Sequence, residues 1–412
     1  VVTNEEEMRR LKGQKGTKVK IGVMRYGSKA VKYFTITRAN IPQKSISAVY
    51  MLDENTGYIK IKNFGENTYA ELLVALAELS QEGFANLVID LRDNTGGYLE
   101  SAVQMINEFL PKNRLIVYTQ GRKQPRQEFL SDGRGSYKDI PLVVLINEGS
   151  ASSSEIFAGA IQDNDRGTII GRRSFGKGLV QKQMEFPDGS IIRLTTARYY
   201  TPSGRCIQKP YTMGDESFYA QDLVDRYQHG EYFSQDSIKH TGPAYHTHIG
   251  RVVYGGGGIT PDIFIPEDTL GMTSYYKRAA MSGLILQFAY DYTDDNRAKL
   301  NEYRNMQSLY DYLKTQNLVE RFASYADRNG LQRRNLMIRK SHKLLDQYIN
   351  SRIIYNMLDE EAWNEYLNQD DDNIRAALNV FAQGKAFPKK PAVKKKAVKK
   401  VAVKKAVVKH RK

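Results

Sequence analysis

Residues 142–162 read LVVLINEGSASSSEIFAGAIQ. Five consecutive apolar residues, Leu142–Ile146, suit a strand buried on both faces, as in a parallel sheet covered by helices. Small and polar residues follow, and from about Ser152 to Gln162 the apolar positions fall at helical spacing. The same order occurs upstream. Residues 86–91 (NLVIDL) form a short apolar run, Arg92-Asp93-Asn94-Thr95-Gly96-Gly97 a loop, and residues 99–109 a helical stretch. Successive strand–loop–helix units predict an α/β core.

Outward from this centre, residues 17–25 and 31–37 alternate as two strands around the turn Tyr26-Gly27-Ser28, and Pro42 marks a boundary. Residues 57–62 alternate as a strand. Residues 68–82 predict a helix with Leu72, Leu73, Leu76 and Leu79 on one face, stopped by Gly83. Beyond the central stretch, strands are expected at 168–171, 180–186 and 190–197, with Asp188-Gly189 as a hairpin turn. Residues 203–262 are polar and rich in Tyr and His, and read as surface loops around one short extended segment. Residues 271–384 lack strand alternation and read as mostly helical, for example over 300–313 and 336–349.

A chain of 412 residues suits two or three domains, and 41% hydrophobic content supplies a sizeable core;. No apolar run reaches the 18 residues that a membrane span needs. The chain starts at Val1 with no signal segment ahead of the first folded pattern, so the expectation is that the native start lies upstream. The formal charge of +15 is unevenly placed. Residues 385–412 hold twelve Lys, one Arg and no acid, +13, which leaves 48 bases against 46 acids, +2, for the rest. A basic pI is therefore no argument for nucleic-acid binding by the folded body. The tail, repeating Lys with Ala and Val, is expected to be disordered. It suits an anionic membrane or envelope polymer, or no specific role, with nucleic acid ranked last. Without an aromatic residue after Phe387 it offers nothing for base stacking. Cys206 is the single cysteine, which excludes an internal disulfide and a cysteine-based zinc site;.

Three segments concentrate reactive or permissive residues. In 148–155 (EGSASSSE) small residues occupy a strand-to-helix turn, where a nucleophile projects at the rim of a sheet. Ser152-x-x-Glu155 is equally a capping box, and on this segment alone capping is the more economical reading. In 93–97 (DNTGG) two glycines after a buried strand let backbone approach a ligand and offer an N–H to an oxyanion, although an ordinary loop would look the same. In 174–181 (SFGKGLVQ) a lysine stands between two glycines. Most lysines are solvated; one acting as a base must lose hydration so that its pKa falls from about 10.4 toward neutrality.

In this order the three segments resemble the carboxy-terminal processing peptidase family of serine proteases. The likeness runs through residues 57–64, 87–97, 144–178, 194–207 (LTTARYYTPSGRCI) and 258–262 (GITPD). It implies an α/β, crotonase/ClpP-like serine protease core with an inserted PDZ domain and an acyl-enzyme mechanism without cofactor or metal. It places the nucleophile at Ser152, the general base at Lys177, and the residue that orients it at Gln181, one helical turn on. The oxyanion donors fall on Gly97 or Gly96 and on Ser153, which stands where the family has Ala. Residues 1–40 resemble the second half of the PDZ domain, the core is expected over 41–270, and 271–384 forms a helical C-terminal domain. The implied partners are protein or peptide substrates with accessible C-termini, with oligomerisation open, and the implied location is the periplasm or cell envelope. Competing readings are a catalytically silent PDZ-type binder of C-termini, a crotonase-like acyl-CoA enzyme, and a Ser-His-Asp triad drawn from His229, His240, His246 or His248. His246-x-His248 lacks a third metal ligand.

Overall fold

The computed structural model describes residues 3–24, 30–41, 43–211, 217–240 and 242–391. The turn expected at 26–28, the boundary at Pro42 and the tail from 392 onward lie outside the described residues. The chain divides into two compact units, Val1–Lys44 and Ser45–Lys412.

In the first unit, helix α1 (Asn4–Leu11) is followed by strands β1 (Lys18–Met24) and β2 (Val31–Thr37), antiparallel with Lys18 opposite Thr37. The Arg38 guanidinium ties them together, donating to the carbonyls of Leu11 (2.8 Å) and Arg10 (3.1 Å) and to Thr17 Oγ1 (3.0 Å). Sequence periodicity gives no sign of α1. Its support is electrostatic: Glu5, Glu6 and Glu7 at the positive end of its dipole, Arg9 and Arg10 at the negative end;.

The second unit is a mixed α/β domain with a helical C-terminal region. Its strands are β3 (Ile46–Met51), β4 (Thr56–Ile61), β5 (Asn86–Asp90), β6 (Leu115–Gly121), β7 (Gln124–Leu130), β8 (Leu142–Ile146), β9 (Thr168–Gly171), β10 (Leu179–Glu185), β11 (Ile191–Tyr200), β12 (Ala244–His246), β13 (Val252–Tyr254) and β14 (Ile263–Phe264). The main sheet has the order β14-β9-β8-β5-β4-β3, parallel except for β3 at its edge. Helices α2 (Thr68–Glu82), α3 (Leu99–Asn107) and α4 (Ser153–Asp163) cover one face of it. Alternation along the strands divides the core in two. Leu87, Ile89, Leu142, Val144 and Ile146 pack into the cluster under those helices, whereas Val88, Val143 and Leu145 turn to the other face;. A second sheet, β10-β11-β6-β7, is antiparallel.

Helix α5 (Ser217–Gln228) precedes the run α6 (Ser274–Met281), α7 (Leu284–Asp295), α8 (Arg297–Leu300), α9 (Met306–Leu313), α10 (Leu318–Arg328), α11 (Asn335–Lys340), α12 (His342–Met357), α13 (Glu360–Asn368) and α14 (Asp372–Ala382). Most of these share their own core, around Phe288, Tyr292, Phe322, Leu345 and Ile353. Helix α14 does not. Its Ile374, Ala377 and Val380 pack with Tyr58, Val88, Val143, Leu145 and Ile170 and close the sheet's second face.

Several expectations need correction. Leu73 is exposed, while Leu72, Ala75, Leu76 and Leu79 are buried, because a residue one position on is turned about 100° around the helix;. Strands β3, β6 and β7 were not anticipated. β7 reads QPRQEFL, polar and with a proline, which an edge strand tolerates;. Residues 203–262 are not merely surface loops. They contain α5 and the β12–β13 hairpin, and they bury Arg205, Ile207, Arg226 and Glu231. Polar composition concealed this, because the burial is of paired charges. Arg205 donates to Asp163 (2.8 Å) and Gln162 (2.7 Å), and Arg226 to Glu231 (2.9 Å).

Asp90, at the end of β5, links the sheet to α14. It accepts from Tyr58 Oη (2.8 Å) and Arg92 Nη2 (2.6 Å) and pairs with Lys60 (3.1 Å). Arg92 Nη1 reaches Asp371, the cap of α14, at 2.5 Å. Burial alone would raise the Asp90 carboxyl, but the Arg92 and Lys60 charges outweigh it and hold the group well below the usual carboxylate range. The stabilisation is present above an ordinary aspartate pKa of about 4 and is lost as pH falls through the depressed native value. Asp90→Asn is expected to cost about 3–5 kcal/mol in urea unfolding at neutral pH, by leaving Arg92 and Lys60 uncompensated. It should also flatten the acid limb of the stability–pH curve; an unchanged acid limb would refute this role for the network. Ile374→Ala, at the junction of α14 and the sheet, is expected to cost about 2–5 kcal/mol in the same measurement.

Candidate active site

Ser152 lies between β8 and α4 in a conformation few non-glycine residues adopt, φ 57° and ψ −116°. Such strain, about 1–3 kcal/mol, persists only where surroundings enforce it. Here Gly96 leaves the needed room: a Cβ on it would lie 2.6 Å from Ser152 Cβ and 2.8 Å from the Ala151 carbonyl oxygen. The glycine loop is fixed by Asn94, which is buried. Its side chain donates to the Ile61 carbonyl (2.9 Å) and accepts from Gly96 N–H (2.8 Å), and its own carbonyl accepts from Ala151 N–H (2.9 Å) and Ser154 Oγ (2.8 Å). Ser153, also buried, donates its hydroxyl to the Gly97 carbonyl (2.9 Å). The two loops, one after β5 and one after β8, are thereby laced together.

Glu155 makes the third connection. Its carboxylate is fully buried and accepts four hydrogen bonds, from Ser152 N–H (2.9 Å), Gly176 N–H (2.7 Å), Lys177 N–H (2.8 Å) and Ser174 Oγ (2.5 Å). Burial pushes its carboxyl up, against the pull of these donors. The capping-box reading thus holds for the glutamate, which reaches back to the Ser152 N–H. The same carboxylate also gathers the loop that carries Lys177. Residues of the 203–262 region hold that loop from behind: Gln208 Oε1 accepts from Gly178 N–H (2.8 Å), Arg226 donates to the carbonyls of Ser174 (3.0 Å) and Arg173 (2.6 Å), and Ser174 Oγ accepts from Ile259 N–H (2.7 Å).

Ser152, Ser153, Gly97, Lys177 and Gln181 line one cleft of about 550 Å³. Gly96 lies behind it with its N–H already given to Asn94. Lys177 is half-buried and Gln181 exposed. Among the described residues no hydrogen bond joins the Ser152 hydroxyl to the Lys177 amine, or Lys177 to Gln181. Gln181 is not one helical turn beyond Lys177, as expected, but in strand β10, so the two reach the cleft from an extended segment. Tyr199 was not anticipated. It is buried, its hydroxyl meets the Lys177 carbonyl and lies within reach of the Ser152 side chain, and burial raises its phenol well above the ordinary value, keeping it neutral. Its place in the YYTPSG stretch was visible; its contact with the turn was not.

The histidines lie elsewhere. His248 meets Arg114 (3.0 Å), His240 stacks on Tyr254 (3.8 Å), and His229 lines a separate cavity with Arg173 and Lys209. Among the described residues none lines the Ser152 cleft, which leaves a Ser-His-Asp arrangement without a histidine.

The family model described as peptidase family S41 matches residues 55–218, and a model for a family of unknown function matches residues 275–359. A carboxyl-terminal-processing protease of Synechocystis sp. is 39% identical over 217 residues, covering 52% of this chain and 50% of that one. A carboxy-terminal-processing protease of Bartonella bacilliformis is 39% identical over 211 residues, 50% of this chain and 48% of the other. Among solved structures, a photosystem II D1 C-terminal processing protease is 26% identical, with 63% of this chain and 58% of that chain covered and a TM-score of 0.39. The chain spans about half the length of the curated relatives it matches. Residues 55–218, which contain both the strained turn and the lysine loop gathered by Glu155, match peptidase family S41 and are similar to carboxy-terminal-processing proteases.

Proposed function

We propose that this chain is a serine endopeptidase that cleaves proteins near their C-termini through an acyl-enzyme on Ser152, with Lys177 as general base. The observation that carries the reading is the Glu155 carboxylate, which holds the backbones of Ser152 and Lys177 together at one cleft. With its amine unprotonated, Lys177 takes the Ser152 proton as Oγ attacks the peptide carbonyl carbon. The oxyanion accepts the N–H groups of Gly97 and Ser153, neither of which has an intramolecular partner among the described residues. The C–N bond then breaks, and the proton passes from Lys177 to the departing amine. Water attacks the ester next, giving its proton to Lys177, and the acid leaves as Ser152 is reprotonated. Gln181 orients Lys177 once substrate fills the cleft.

Recognition of a free C-terminus rests on the family resemblance of residues 1–40 to part of a PDZ domain and on the names of the curated relatives. An envelope location rests on the same resemblance. Among the described residues no helix is long and apolar enough to cross a membrane. No feature of the cleft calls for an acyl-CoA.

Ser152→Ala and Lys177→Ala are each expected to lower cleavage of an unstructured protein with an apolar C-terminus by about 10⁴-fold or more while circular dichroism stays unchanged. Normal cleavage by Lys177→Ala would refute the dyad. Glu155→Gln, which sets an NH₂ group among four donors, is expected to lose about 2–4 kcal/mol of stability and most activity. Full activity in that variant would remove Glu155 from the mechanism's support.

A further inference from the structure

A further cavity, of about 440 Å³, lies between α13 and the carboxyl ends of β4, β5 and β8. Its size falls within the range of small-molecule sites, about 300–1,000 Å³. Ligands of open α/β sheets bind outside strand ends of this kind.

The face of α13 that lines the cavity is unusual for a buried helix surface. Glu360, Trp363, Asn364, Leu367 and Asn368 fall at helical spacing and share that face. An inward face is ordinarily apolar, yet Asn364 and Asn368 are each only 7% exposed. Both amides are held in place. Asn364 Nδ2 donates to the Glu360 carbonyl (2.7 Å) and Asn368 Nδ2 to Tyr50 Oη (2.6 Å). Two further polar atoms of lining residues, Ser47 Oγ and Trp363 Nε1, are buried without a hydrogen-bond partner among the described residues. Leaving a buried polar group unmet is costly, and two at one cavity point to an occupant that meets them.

Charge and polarity narrow the occupant. The lining carries four basic side chains and four carboxylates, so it is neutral overall. Its cations are already matched. Lys62 pairs with Glu360 (2.7 Å), Arg172 with Glu148 outside the lining (2.8 Å), and Lys60 and Arg92 with Asp90 (3.1 and 2.6 Å). This balance favours an uncharged ligand. Among the described residues no group of three or more potential ligands could hold a metal ion. Ile146, Trp363 and Leu367 are the only apolar side chains of the lining, too few for an apolar ligand. Fixed amides, matched charges and one indole suit hydroxyl groups, which both donate and accept, set on a ring with an apolar face.

We propose that this cavity binds an uncharged, hydroxyl-rich ligand, a sugar ring, through Glu360, Asn364, Asn368 and the Trp363 indole. The inference is independent of the endopeptidase reading. Asp93 and Asn147, which start the two loops of the Ser152 site, line the same cavity, so an occupant lies against the base of both loops.

Trp363 is the only tryptophan of the chain, so its emission reports this cavity directly. The whole chain carrying Ser152→Ala is titrated with glucose, with N-acetylglucosamine and with a short oligomer of each. Acetate, phosphate and ethylammonium serve as charged probes. A saturable change with at least one sugar, and none with the ions, is expected. Asn364→Leu should weaken binding about tenfold, and Glu360→Gln about three- to tenfold, by removing hydrogen-bond partners. Circular dichroism should stay unchanged in Glu360→Gln, because the Lys62–Glu360 pair is partly exposed and contributes little to folding;. An oligomer that binds more tightly than its monomer identifies a polymer as the source and equal affinity a free sugar; either sustains the proposal. No saturable change with any sugar overturns it, as does a stronger response to an ion, or sugar affinity untouched in both variants. Sugar binding without wild-type cleavage of an unstructured protein leaves this site standing and sinks the endopeptidase reading. Cleavage by a chain that binds no sugar does the reverse.

Discussion

The site depends on one buried carboxylate. Glu155 stands in the first turn of α4, where its backbone continues the helix and its side chain turns back toward the helix start. With four donors converging on it, it fixes the backbone of the strained serine and of the glycine-flanked lysine at once. Neither segment holds its own geometry. A positive φ at Ser152 relaxes unless anchored, and a Gly-Lys-Gly loop is free to wander. A shared acceptor in a water-poor interior is a strong anchor, because each donor left without it would be buried and unsatisfied.

Around that anchor the architecture is a set of loops at the ends of parallel strands. The loops after β5 and β8 face each other because the two strands are neighbours, Leu87 beside Leu142 and Asp90 beside Leu145. Asn94 and Ser153 then stitch loop to loop. Glycine 96 is required by contact with the serine turn, not by chain flexibility in general, since any side chain there would displace Ser152.

The helical C-terminal region takes part in this domain. Helix α14 closes the sheet face opposite α2, α3 and α4, and its cap Asp371 is tied through Arg92 to Asp90, two residues upstream of the glycine loop's start. Asp93, next in line, exchanges hydrogen bonds with Asn147 at the start of the serine loop: its N–H donates to Oδ1 (2.8 Å) and its carboxylate accepts from Nδ2 (2.9 Å). Contacts from α14 thus run continuously to both loops of the site.

The sequence by itself determined the α/β class, the strands at 86–90 and 142–146, the helix after Ser152 and the mostly helical character beyond 271, because hydrophobic periodicity is local and strong in those stretches. The three reactive segments were legible as well, though each alone had an ordinary reading. Only the tertiary structure decided what joins them. That Gly96 has given its N–H away, that Glu155 bonds across 22 residues to Lys177, that Tyr199 reaches the turn, and that Gln181 lies on an edge strand and not one helical turn on, are all long-range facts. So are the burial of the polar 203–262 segment, where paired charges replace an apolar pattern, and the packing of α14 on the sheet. A linear pattern records which face of an element is apolar. Which partner covers that face, and which donors find a buried carboxylate, depends on contacts between residues far apart in the chain.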